Sequence, residues 1–130
     1  MLECSVIILN WNGEAMLRRY LPSVIQYTQL EGVEIVVADN GSTDASLEFL
    51  HSQPVRIIEL GENLGFAEGY NRAIEQVESK YVVLLNSDVE VTSNWLDTLL
   101  NYARAHEDVV AIQPKILSWQ SKEDAIKAGS

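Results

Sequence analysis

Five short apolar runs punctuate the sequence: Ser5 to Leu9, Ile35 to Ala38, Val55 to Leu60, Tyr81 to Leu85 and Val109 to Ile112. Four are unbroken and rich in Val and Ile, the pattern of strands buried on both faces. Between them lie stretches with helical spacing. Leu17, Leu21, Val24 and Ile25 share one stripe, Phe66, Tyr70, Ala73, Ile74 and Val77 a second, and Leu96, Leu99, Leu100 and Ala103 a third. Strands alternating with helices demand right-handed crossovers, so the expectation is an α/β fold with a mostly parallel sheet and helices on both faces. Pro22 predicts a kink or a fresh start near Leu21, because its ring cannot donate to the helical ladder. Ser42 or Thr43 is the expected N-cap of a helix running through Leu50, with Asp44 in its first turn.

A chain of 130 residues is long enough for one domain with a real core, and 47% apolar against 22% charged residues excludes a disordered or fibrous class. The formal charge of −10 repels a phosphate backbone, so nucleic acid is not an expected partner. A single cysteine, Cys4, has no internal disulfide partner and is read as a small core hydrophobe. No apolar run approaches the roughly 18 residues of a membrane span, and the start lacks the pattern of a signal peptide. A cytoplasmic location follows as the expectation. Residues 117–130 are polar and offer no closing element, so the sequence is expected to stop mid-domain.

In open α/β sheets ligands bind beyond the carboxyl ends of the strands, and here those positions are polar. Asn10-Trp11-Asn12-Gly13 follows the first run, Asp39-Asn40-Gly41-Ser42-Thr43-Asp44 the second, Gly61-Glu62-Asn63-Leu64-Gly65 the third and Asn86-Ser87-Asp88-Val89-Glu90 the fourth. Asp88 has the oxygen chemistry to hold Mg²⁺ or Mn²⁺ at a diphosphate, or it simply turns the chain. Asp39 either accepts hydrogen bonds from a base or ribose, or starts the turn at Asn40-Gly41. Trp11 either stacks on a base or packs. Gly61, Gly65 and Gly69 either let backbone approach a phosphate or serve a tight strand-to-helix turn. His51 and His106 lack neighbours that would make a metal site. Dinucleotide, P-loop and hydrolase motifs are absent from the sequence.

Taken together, Ser5 to Asn12, Glu34 to Asp44, Asn63 to Asn71 and Leu84 to Val89 resemble, in order and spacing, the family 2 glycosyltransferases. The resemblance extends through Ile112-Gln113-Pro114-Lys115-Ile116-Leu117 and points to the bacterial branch with rhamnosyltransferase-like enzymes of cell-surface polysaccharide synthesis. It implies a Rossmann-like fold of the GT-A type, apparently truncated, with residues 1–130 forming the nucleotide-sugar-binding, N-terminal part of the domain. It implies that Trp11 lies against the base, that Asp39 hydrogen-bonds it, and that the segment from Gly65 to Asn71 lines the nucleotide. Asn10, Asn12, Asn86 and Ser87 complete the expected nucleotide site, and Asp88 is the expected ligand of the Mg²⁺ or Mn²⁺ ion. Asn86 stands where a first acid is usual, and Asn40 where a second Asp is common.

The family's reaction transfers a sugar, with inversion, from a nucleotide-diphosphate donor to the hydroxyl of a saccharide or lipid-linked acceptor. The resemblance places the general base beyond residue 130, so no catalytic residue is expected here and the chain is expected to be inactive alone. A peripheral position at the inner membrane face and self-association through an open sheet edge are further expectations. The rival reading is a non-catalytic nucleotide-binding or interaction module acting through a partner chain. A phosphoacceptor receiver domain fits poorly: it needs paired acids after the first strand and an Asp after the third, where Asn10 and Leu60-Gly61 stand.

Overall fold

The computed structural model describes residues 1–106 and 116–117. Strands and helices alternate along the chain: β1 (Leu2–Asn10), α1 (Glu14–Tyr27), β2 (Val33–Asp39), α2 (Ser46–His51), β3 (Arg56–Glu59), α3 (Phe66–Glu75), β4 (Ser79–Leu85), α4 (Trp95–Ala105) and β5 (Ile116–Leu117). The strands form one sheet in the order β3-β2-β1-β4-β5, and every neighbouring pair is parallel. The order steps outward from β1 to β3 and then returns to β4 on the other side of β1. That reversal falls between β1 and β4, and open α/β sheets bind their ligands beyond the carboxyl ends of the strands at such a point.

Residue alternation along the strands assigns the two faces. Cys4, Val6 and Ile8 of β1, Ile35 and Val37 of β2, and Val83 and Leu85 of β4 pack with α1 through Leu17, Leu21 and Val24, with α2 through Leu50, and with α4 through Trp95, Leu96 and Leu100. The intervening residues Ile7, Val36, Ala38, Ile58 and Leu84 turn to the opposite face and meet Tyr70 and Ala73 of α3. Among the described residues three helices therefore cover one face and one covers the other. Burying each large aliphatic side chain contributes about 1.5–3 kcal/mol. Val6, Ile7 and Ile8 are all almost wholly buried, so β1 is the rigid reference on which the site is built.

Three expectations from the sequence are revised or fall outside the described residues. Helix α1 makes no fresh start at Pro22, which lies inside it. Pro22 and Arg18, whose carbonyl loses its helical donor, are both on the exposed side, while Leu17, Leu21 and Val24 bury the other side and hold the helix together across the break. Neither Ser42 nor Thr43 caps α2, which begins at Ser46 with no side-chain cap on its N-cap residue, Ala45. Ser42 is instead drawn to the nearer Asp39 carboxylate. The run Val109 to Ile112 lies outside the described residues, and the fifth strand of the sheet is Ile116–Leu117.

Strand β3 is one edge of the sheet, and charged Arg56 and Glu59 stand at its ends. Among the described residues no helix is long and apolar enough to cross a membrane.

Candidate functional site

The parallel register sets Asn10 beside Asp39 and Asp39 beside Glu59 at the carboxyl end of the sheet. Asp39 is 2% exposed, and a charge taken that far from water needs partners. It has three. Its Oδ1 accepts from Asn10 Nδ2 at 3.0 Å and from Ser42 Oγ at 2.6 Å, and its Oδ2 accepts from the Ser42 backbone N–H at 2.9 Å. Ser42 Oγ in turn accepts from Asn10 Nδ2 at 3.2 Å and from the Asn12 backbone N–H at 2.9 Å. Asn10 is almost wholly buried, and its Oδ1 has no partner. Asn12, at φ 48°, turns its Oδ1 to accept from the Thr43 and Asp44 N–H groups at 2.7 and 3.3 Å. Asp44 completes the seam. Its carboxylate accepts from the N–H of Glu14 at 3.2 Å and of Ser46 at 2.9 Å, the first residues of α1 and α2.

A second seam joins the turn after β2 to the loop after β3, through Asn40 and Asn63, and delivers Gly65 to the start of α3. On α3, Tyr70 is buried and its hydroxyl donates to the Leu85 carbonyl, the last of β4, at 3.0 Å. Burial pushes its phenol up to about 12, so the proton stays on this oxygen. Asn86 and Ser87 follow half-buried, and Asp88 is exposed. Trp11, at 54% exposure, is an exposed aromatic and not a core residue. Asn71 is exposed on α3.

The structure therefore brings Asn10, Asn12 and Asp39 into one hydrogen-bonded group and sets Asn86, Ser87 and Asp88 at the end of the strand beside β1. Gly65 is the N-cap residue of α3 and Asn71 lies on that helix. Four residues that hold this arrangement were not singled out as site residues from the sequence: Asn40, Ser42, Asp44 and Tyr70. Ser42 and Asp44 carried the sequence signal of a cap, and Tyr70 that of a core stripe, which its ring indeed joins while its hydroxyl serves the site.

The donor set limits what a metal site here would be. Among the described residues no group of three His, Cys, Asp or Glu side chains is placed to hold an ion. One exposed carboxylate with amide and hydroxyl neighbours suits Mg²⁺ or Mn²⁺, which bind through one or two carboxylates and complete their shell with substrate phosphate and water. The residues present fit such an ion only in company with a phosphorylated ligand.

The family model described as glycosyl transferase family 2 matches residues 5–125. The chain belongs to that family. The family 2 relatives include the N-acetylglucosaminyl-diphospho-decaprenol L-rhamnosyltransferase of Mycobacterium tuberculosis, 29% identical over 124 residues, which span 85% of this chain and 40% of the relative. Among solved structures, residues 1-349 of S. aureus TarS in complex with UDP-GlcNAc match with a TM-score of 0.72 and 24% identity, over 82% of this chain and 32% of that one. The mannosyltransferase PcManGT of Pyrobaculum calidifontis, in complex with GDP-Man and Mn²⁺, matches with a TM-score of 0.69 and 20% identity, over 78% of this chain and 32% of that one. The fold of this family 2 chain is thus the GT-A-type α/β sheet expected from its sequence. The chain spans 35% and 28% of the length of two of the curated glycosyltransferase relatives it matches and as little as 13% of another.

Proposed function

We propose that this chain is the donor-binding part of a glycosyltransferase of hexosyltransferase type, which moves a sugar from a nucleoside diphosphate to an acceptor hydroxyl in cell-surface polysaccharide synthesis. One observation carries the reading: an exposed indole, a carboxylate locked at the strand ends and an exposed carboxylate all gather at the reversal point of a parallel sheet. Family membership and neighbours solved with UDP-GlcNAc and GDP-Man support it.

In this reading Trp11 offers its ring face to the base and the Asp39 turn meets the base edge. Asn10, its amide already given to Asp39, acts through that carboxylate. Asn12, Gly65, Asn71, Asn86 and Ser87 line the nucleotide, and Asp88 holds a divalent cation together with the donor's diphosphate. The cation's contribution is to neutralise charge on the leaving diphosphate. The acceptor oxygen forms the new bond to the anomeric carbon on the face opposite the departing nucleoside diphosphate, so configuration inverts. The acceptor's proton passes to a general base that we place outside these 130 residues, and purified alone they bind donor without transferring sugar.

Calorimetry of UDP, dTDP and GDP with and without Mn²⁺, on the chain and on Asp88→Ala, tests the proposal. Binding that needs both the ion and Asp88, with an unchanged melting temperature in the variant, is the expected outcome, because an exposed carboxylate adds little to folding. A variant that melts far earlier while binding equally well reduces Asp88 to a structural residue.

A further inference from the structure

Asn40 stands at a position where the sequence alone shows no reason to prefer an amide to an acid. The structure supplies one. The residue is 2% exposed and uses both ends of its carboxamide. Its Oδ1 accepts from the Leu64 backbone N–H at 2.9 Å, while its Nδ2 donates to Asn63 Oδ1 at 3.2 Å and to the Gly65 carbonyl at 3.1 Å. Asn63 Oδ1 also accepts from the Gly65 N–H at 2.9 Å, so Gly65 is gripped through both its carbonyl and its amide. The fit extends to the backbone. Asn40's own N–H donates to the Asn10 carbonyl at 2.7 Å, and a Cβ on Gly69 of α3 would stand 3.2 Å from Asn40 Nδ2.

We propose that Asn40 is the positioning residue of the nucleotide site: it orients the 61–65 loop and the start of α3 against the Asp39 turn, and it does so because it both donates and accepts. That the loop faces a nucleotide rests on the function proposed above; that Asn40 sets the loop does not. An aspartate would keep the bond from Leu64 but turn a carboxylate toward the Asn63 and Gly65 oxygens, two acceptors with no proton between them. Charged groups on the elements around it include Asp39 on β2, Asp44 in the same turn, Glu59 at the end of β3, Glu62 in the loop, and Glu68, Arg72 and Glu75 on α3. Asp39, its neighbour in sequence, and Glu62, whose backbone lies against Gly41, would raise the new carboxyl further, and its protonated form would regain one donor.

The test is amide hydrogen exchange at Leu64 and Gly65, followed by nuclear magnetic resonance, with calorimetric affinity for the best-binding nucleoside diphosphate, on the whole chain and on Asn40→Asp across pH. At neutral pH the variant is expected to retain slow exchange at Leu64, to lose it at Gly65 and to bind about tenfold more weakly, the scale of one or two lost hydrogen bonds. Acidification is expected to restore part of both losses in the variant alone. Asn40→Ser, which removes the carboxamide without adding a charge, is expected to free both Leu64 and Gly65, and it decides the matter if Asn40→Asp does not fold. Exchange at Gly65 equal to that of the parent chain, in whichever of the two variants is folded, overturns the proposal. If the parent binds no nucleotide, the functional reading fails while the exchange measurement still decides what Asn40 does.

Discussion

Asp44 shows how much one side chain organises. Two helix N-termini, those of α1 and α2, each leave backbone donors without intrahelical partners, and this carboxylate accepts one from each. Burial tends to raise its carboxyl, but the hydrogen bonds from Ser46 and Glu14 outweigh that and hold it below the ordinary carboxylate range. A group depressed in the folded state adds stability above its unfolded value and loses it as pH falls through its folded value. Asp44→Ala is therefore expected to lower stability by about 1 kcal/mol at neutral pH, as loss of a capping acceptor does. The gap to the parent should narrow in acid. Thermal melts at neutral and acidic pH check both. The sequence placed Asp44 in the first turn of α2, whereas it stands two residues before Ser46 and serves two helices from outside both. The second donor, Glu14, is 30 residues away, and only the parallel pairing of β1 with β2 brings it near.

Among the elements, the turn after β2 and the loop after β3 behave as one piece. Gly41 has φ +82°, and a Cβ there would lie 2.7 Å from the Glu62 Cα, which is backbone and cannot rotate away. Gly61 has a similar φ of +86° with nothing within 4 Å of its would-be Cβ. The pair separates two costs. Gly61→Ala is expected to cost only the left-handed conformation, about 1–2 kcal/mol, whereas Gly41→Ala adds the collision and is expected to cost more. Equal losses in denaturant melts would show that the two segments do not touch. At this scale the sequence was informative where burial is two-sided. The apolar runs at 5–9, 35–38 and 81–85 became β1, β2 and β4, because a strand buried on both faces has few polar residues to blur it, while 55–60 became the edge strand β3 with Arg56 and Glu59 exposed. The start of α2 was missed because Ser42 found an acceptor in Asp39, a competitor that no local pattern reveals.

Over the whole molecule, the strand order was not legible, yet the order is what gathers the four polar segments. Their convergence was readable only as a general property of α/β sheets; their joining through Asn10, Asn40 and Tyr70 depends on side-chain contacts across 15 to 29 residues of sequence. The single thiol belongs to this scale as well. Cys4 is wholly buried on β1, flanked by β2 and β4, and burial raises its thiol to about 12, with the Glu3 and Glu34 charges adding to the effect. Reagent cannot reach that sulfur unless the middle of the sheet parts, so alkylation should be negligible in the native chain and should begin with unfolding. Rapid labelling of the native protein would show that β1 opens by itself. With one thiol in the chain, the labelling rate becomes a clock for the lifetime of the entire sheet, and any ligand that prefers the folded form must slow it, whatever its chemistry.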